Sequence, residues 1–269
     1  MILSFCLMIS FSHAEICDQI LFYNSDTNIN NYKQLKTEFD NFLKKIGNYT
    51  FQPINDQNIF HDQLKDNKNC MLIISSWYYN ILVDRFTIFP FLIAHRNGMK
   101  TQQIILIKKK SGQNIARLDF SKGNIASSMS RDFSESMLNS ILIDHHVNHP
   151  FNVLRVPKDI DALMAVGFGM STYALSTYHS FKNLSKINPS LFNKLSCIGK
   201  KVDSFLMICA VVNHQHDPQL INAFVNMNKI PEGRNAIKML GIDGFNYYHT
   251  NHHRSNKGKK SKNTIFPKR

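Results

Sequence analysis

Leu154–Thr177 reads LRVPKDIDALMAVGFGMSTYALST, and the order of elements within it decides the fold. Leu154–Val156 closes a strand begun at Phe151, and Pro157 and Lys158 turn the chain. A helix opens at Asp159. Its apolar residues Ile160, Leu163, Met164, Gly167 and Phe168 recur at helical spacing along one face. Gly167 and Gly169 are read as its stop. Thr172–Leu175 follows as a short strand, and helix resumes from Tyr178 through Asn188-Pro189 to Leu195. Strand, crossover helix, strand is the unit that joins parallel strands.

The same alternation runs through the first third of the chain. Gln19–Tyr23 is an apolar strand ended by Asn24–Asn28. Tyr32, Leu35, Phe39, Phe42, Leu43 and Ile46 form a helical stripe that stops at Gly47. Tyr49–Ile54 reads as a second strand, Asp56 as the cap of a helix reaching Leu64, and Cys70–Ile74 as a third strand. Crossovers of helix length imply an α/β protein with mostly parallel sheets flanked by helices. In such sheets ligands sit beyond the C-terminal strand ends. Here those ends are Asn24–Asn28 and Ser75–Tyr79. Phe86–Ala94 and Thr101–Ile107 read as strands leaving this first unit. Leu206–Val212 reads as the strand that returns to it.

The chain has 269 residues, 43% of them hydrophobic and 20 of them Phe, which suits a substantial core and argues against general disorder. The net charge is +13, but seven of those charges lie in Arg254–Arg269, a tail without an acid. The remainder is mildly basic, which favours anionic ligands through long-range steering. Ile2–Phe11 is a short apolar run followed by Ser12-His13-Ala14, which reads as a secretory signal cut after Ala14, although no Lys or Arg precedes the run. That run is too short to span a bilayer. Export would leave Cys17, Cys70, Cys197 and Cys209 in an oxidising compartment. Cys70 and Cys209 border apolar strands and read better as buried thiols than as a disulfide.

The order of these elements behind an export signal resembles the phosphate- and phosphonate-type periplasmic solute-binding proteins of ABC transporters. The resemblance runs from about Gln19 to Tyr248. It rests on the Asn-rich Ser25–Asn31, on Ser75-Ser76-Trp77-Tyr78, on the Ser127-Ser128 helix start, on Asp161–Val166, on Asn188-Pro189 and on Pro231-Glu232-Gly233-Arg234. It implies a two-lobed type 2 periplasmic-binding-protein fold hinged about a central cleft. The implied division is a signal over 1–14, lobe 1 over 15–90 and 206–249, lobe 2 over 91–205, and a basic, disordered tail over 250–269. It further implies a monomeric periplasmic protein without cofactor, whose partners are a small anionic solute and ABC permease subunits.

An anion needs several donors aimed at one place, and a helix N-terminus supplies them. Ser127, Ser128 and Ser130 open a helix and are candidate ligands, though Ser is also an ordinary cap. Ser76, Trp77 and Tyr78 follow the third strand and could wall a pocket, against the commoner fate of aromatics as core. Thr27, Lys158 and Thr177 complete the candidate set, each at the end of a strand or the start of a helix. The family resemblance implies that the loop after the first strand, a residue at the position of Lys158 and the strand after the Asp159 helix reach the cleft.

Other chemistries have weaker claims. His145, His146 and His149 spell HHxxH, but Asn148 and Pro150 make that stretch a loop, and no metal site is assigned. There is no GxSxG, HExxH or GxxxxGK[ST] motif, and nothing argues for an enzyme. The basic tail could neutralise phosphates, but export conflicts with nucleic acid, so a solvated tail touching anionic lipid is preferred. Two functions stay open: capture of an oxyanion for ABC-type uptake, and an exported binding or sensor module of the same fold uncoupled from transport.

Overall fold

Gln19–Tyr23 (β1) is buried from Ile20 onward and carries a partner strand on each side, as an interior strand must. The structure, a computed structural model, describes residues 18–25, 29, 31–66, 70–110, 123–143, 151–212 and 217–248. The expected signal, Cys17, Thr27, the HHxxH stretch and the basic tail lie outside the described residues.

Asn31 caps the first helix by accepting the Gln34 N–H at 2.9 Å, and Tyr32–Leu43 (α1) follows with Leu35, Phe39, Phe42 and Leu43 inward. Thr50–Pro53 (β2) and Met71–Ile74 (β3) flank β1 in parallel. Asp56 caps Gln57–Asp66 (α2), accepting from Asn58 and Ile59. Ile88–His95 (β4), Ile208–Val212 (β10) and Gly244–Tyr247 (β11) complete the first sheet, in the order β11-β4-β10-β3-β1-β2. The second sheet holds Thr101–Lys109 (β5), Asn124–Ser127 (β6), Asn152–Arg155 (β7), Tyr173–Thr177 (β8) and Leu195–Phe205 (β9), in the order β7-β6-β8-β5-β9. Both sheets are mixed. Their βαβ halves are parallel, and the strand that enters each from a crossing, β10 in the first and β5 in the second, runs antiparallel between two neighbours.

The chain crosses between the lobes twice, at Arg96–Lys100 and at Leu206–Met207. Asn97 and Gly98, with φ of 51° and 73°, make the tight turn of the first crossing. The Leu206 N–H donates to the Lys100 carbonyl at 2.9 Å and so ties the two crossings together. β4 stays in the first sheet, so the first crossing follows His95 and not residue 90.

Helices cover both sheets. Ser76–Leu82 (α3), Pro218–Val225 (α8) and Pro231–Leu240 (α9) join α1 and α2 on lobe 1. On lobe 2, Arg131–Ile141 (α4) lies on one face and Asp159–Phe168 (α5), Tyr178–Ile187 (α6) and Pro189–Asn193 (α7) on the other. Lobe 1 has one continuous core, whereas lobe 2 has separate clusters on its two faces. Cys70 and Cys209 are buried thiols, as the apolar strands beside them suggest.

Three local readings change. Gly167 does not stop α5, because only Gly169 takes the left-handed cap, with φ of 80°. Gly167 instead lets the helix press on Leu191, where an added Cβ would stand 2.1 Å from Cδ1. Phe168 leaves the apolar face and is 66% exposed, and the buried side is Ala162, Leu163, Ala165 and Val166. Ser75–Tyr79 is more than a strand end: Ser75 accepts the Tyr78 N–H as an N-cap, and the aromatics ride on α3.

Candidate functional site

The C-terminal ends of β1, β3, β6, β7 and β8 meet where the lobes face each other. They carry small buried hydroxyls, Ser25, Ser75 and Ser76 on lobe 1 and Ser127, Ser128, Ser176 and Thr177 on lobe 2, and the lobes meet in a seam at Ser25 and Ser130. Buried hydroxyls need partners. The Ser25 and Ser75 hydroxyls pair at 2.8 Å, and Ser127 Oγ accepts from Met129 N–H at 3.2 Å and from the Ser134 hydroxyl at 3.1 Å. Across the seam, the Ser130 N–H donates to the Ser25 carbonyl at 2.8 Å. Trp77 forms a second bridge. Its Nε1–H donates to Ser136 Oγ at 3.1 Å, and its ring meets Phe133 edge-on at 5.4 Å.

Beside the seam a cavity of about 570 Å³ opens between the lobes, lined by Tyr23, Asn24, Ile29, Tyr32 and Asn55 from lobe 1 and by Ser130 and Arg155 from lobe 2. Arg155 ends the edge strand β7, so its guanidinium extends from a strand terminus toward the opposite lobe. Burial pushes the Tyr23 hydroxyl up to about 12, with Tyr32, Asp132 and Asp56 adding to the rise and Arg155 opposing it. Burial likewise raises Tyr32, again against Arg155. Both phenols are therefore protonated donors at neutral pH. Ser130 caps α4 by accepting the Phe133 N–H at 3.3 Å, which leaves its own proton to donate. The cavity thus carries one guanidinium, two phenol donors, a hydroxyl at a helix N-terminus and two side-chain amides. That set suits an oxyanion. Asp56 and Asp132 stand near enough to act on Tyr23 and weaken the positive field.

Of the residues expected from sequence, Ser130 lines this cavity. Ser76, Ser127, Ser128 and Thr177 lie buried in or beside the seam. Thr177 caps α6, accepting the Ser180 N–H at 3.1 Å, while its N–H and hydroxyl donate to Asp159 Oδ2 at 3.0 and 2.6 Å. Trp77 bridges the lobes. Tyr78 lies in the core of lobe 1, its hydroxyl 2.6 Å from His61 Nε2. Lys158 is exposed at the start of α5, with its N–H on Asp161 Oδ2 at 3.0 Å. Tyr23, Tyr32, Asn55 and Arg155 were not among the expected ligands. Arg155 was accessible to the rule that ligands gather at parallel strand ends. Tyr32 was absorbed into the apolar stripe of α1. Among the described residues no three His, Cys, Asp or Glu side chains converge on a metal position.

The lobe order, the two crossings and the intervening cleft settle the architecture. The fold is the two-lobed type 2 periplasmic-binding-protein fold. Solved structures of this fold superpose over most of the chain. XAC2383 of Xanthomonas citri, bound to ATP, matches with a TM-score of 0.60 and 12% identity over 85% of this chain and 90% of that one. A binding-protein component of an ABC phosphonate transporter from Pseudomonas aeruginosa matches with a TM-score of 0.59 and 12% identity, over 87% and 82%. PhnD1 from Prochlorococcus marinus, in complex with methylphosphonate, matches with a TM-score of 0.59 and 13% identity, over 86% and 92%. No family model and no curated protein matches the sequence. No helix among the described residues is long and apolar enough to cross a membrane.

Proposed function

We propose that this chain is an exported solute-binding protein that holds a small phosphonate- or phosphate-like oxyanion in the interlobe cleft and presents it to an ABC permease without chemical turnover. The carrying observation is the convergence of Arg155, Tyr23, Tyr32 and Ser130 from opposite lobes on one cavity. Its volume, about 570 Å³, lies in the usual range for small-molecule sites. Contacts drawn from both lobes make binding and lobe closure one event. Export rests on the apolar Ile2–Phe11 run and the Ser12-His13-Ala14 site. Phosphonate as the solute is suggested by the same-fold protein solved with methylphosphonate and by the transporter component. In this reading Ser127, Ser128, Ser76 and Thr177 form the polar floor that closes under the solute, and Lys158 belongs to the cleft's rim.

Thermal unfolding against phosphate, phosphite, methylphosphonate, an aminophosphonate and a sulfonate tests this. A ligand at about 100 times its Kd adds roughly 2.7 kcal/mol of stability. A saturable rise with one phosphorus oxyanion supports the reading. The absence of any rise across the panel, in protein stripped of retained ligand by unfolding and refolding, rejects it.

A further inference from the structure

A second cavity, of about 400 Å³, lies at the hinge and shares no lining residue with the cleft. Both crossings border it, through Arg96 and Met99 on one and Leu206 on the other, and α6 supplies Tyr178, His179 and Lys182. Two fixed cations face this space. Lys182 Nζ stands 5.5 Å from the centroid of the Tyr178 ring, which holds the ammonium over the aromatic face. Arg96 is half-buried, and among the described residues its guanidinium makes no hydrogen bond and no ion pair. Burial opposes its charge, and Arg96 in turn helps burial to lower the pKa of His179. The guanidinium is partly withdrawn from water and borders the cavity, so its donors are available to an anion placed there.

The surrounding acids narrow the class of anion. Asp159 and Asp243 both act on Arg96 at longer range. Each already commits one oxygen elsewhere: Asp243 Oδ2 accepts the Asn97 N–H at 2.5 Å, and Asp159 Oδ2 accepts from Thr177. Their charge favours a monoanion over a dianion. Met99, Leu206 and the Tyr178 ring give the cavity an apolar side. We propose that the hinge cavity is a second ligand site, for a small carboxylate with an apolar body, its carboxylate held by Arg96 and Lys182. An Arg fork takes a planar carboxylate with two parallel hydrogen bonds. Because residues of both crossings touch the occupant, it ties the hinge to lobe 2. The proposal stands independently of the cleft reading.

Calorimetric titration of the full chain with benzoate tests it, with benzamide as the neutral counterpart of similar shape. Benzoate is expected to saturate one site, and benzamide to bind far more weakly. Arg96→Gln should weaken benzoate about tenfold or more, the scale of one lost charge-assisted pair. Lys182→Gln, at an exposed position that folding does not depend on, should weaken it about threefold. Arg155→Gln, in the other cavity, should leave benzoate unchanged. Failure of benzoate to saturate, equal binding of benzamide, unchanged affinity in Lys182→Gln, or loss through Arg155→Gln would each overturn the proposal.

Discussion

The five strands of lobe 2 follow the order of five of the six in lobe 1, but the two lobes are filled differently. Lobe 1 is packed with rings. Its aromatic contacts fall in two groups, Phe22, Phe39, Phe51, Phe224 and Phe245 in one and Tyr23, Phe60 and Tyr78 in the other, with Phe39 stacked on Phe51 at 4.0 Å and 9°. Lobe 2 is packed mainly with aliphatic and small residues, in two clusters separated by the sheet, and Gly167 brings α5 onto Leu191. The difference extends to the cleft. Lobe 1 contributes phenols and amides rooted in its aromatic core, and lobe 2 contributes a guanidinium and a helix N-terminus. One lobe offers neutral donors on a stiff wall. The other supplies the charge.

The strongest challenge to this contrast is a matched pair of core truncations. Phe39→Ala is expected to lose about 3–5 kcal/mol, since Phe39 is fully buried and contacts both Phe51 and Phe224. Leu163→Ala in lobe 2 should lose less, toward the lower end of about 2–5 kcal/mol, because its cluster covers one face only. Urea denaturation of both variants checks the order, and a larger loss from Leu163→Ala would break the comparison. Gly167→Ala should cost about 1–3 kcal/mol through overpacking. Adding Leu191→Ala should recover part of that loss if the clash with Leu191 Cδ1 is the cause.

Smaller effects probe the join between the lobes and the edge of the aromatic core. Trp77→Phe keeps a ring against Phe133 but removes the bond to Ser136, and should lower stability by about 0.5–1.5 kcal/mol. Ser136→Ala in the Trp77→Phe background should then add little, which a double-mutant cycle measures. The smallest effect concerns His61. Burial, Arg85 and Lys65 lower its pKa in the folded protein. The unfolded chain therefore takes up the proton first, so the stabilising contribution is present above the ordinary imidazole range and is lost as pH falls through it. Urea midpoints between neutral and mildly acidic pH should decline, and His61→Gln should flatten that part of the curve. An unchanged slope would remove His61 from the account.

Much of the fold was legible because the βαβ units carry strong local signals. The residues of β1, the stripe of α1 and the Asp56 cap of α2 follow directly from periodicity and capping. β9 and β11 were not legible. β9 contains Ser196, Gly199, Lys200 and Lys201, and its strand character comes from pairing along β5 and not from an apolar pattern. β11 is short and polar beyond Phe245, and β4 sets its register. The site was legible as a place more than as a residue set. Of the weighed strand-end and helix-start residues, Ser130 lines the cleft. But Thr177 spends its oxygen on a helix cap, Ser127 accepts from Met129 and Ser134, and Tyr78 turns inward because α3 opens directly after Ser75. Which hydroxyl faces a cavity and which closes a helix depends on the angle of the helix, and composition does not encode that angle.

The central claim is that Arg155 and the groups facing it hold an oxyanion between the lobes. Isothermal titration of methylphosphonate into the wild-type chain and into Arg155→Gln tests it most directly. The account predicts one saturable site in the wild type and about tenfold weaker binding in the variant, with the unfolding midpoint unchanged, since Arg155 is exposed at an edge strand. No binding by the wild type, or equal affinity in the two proteins, would contradict it.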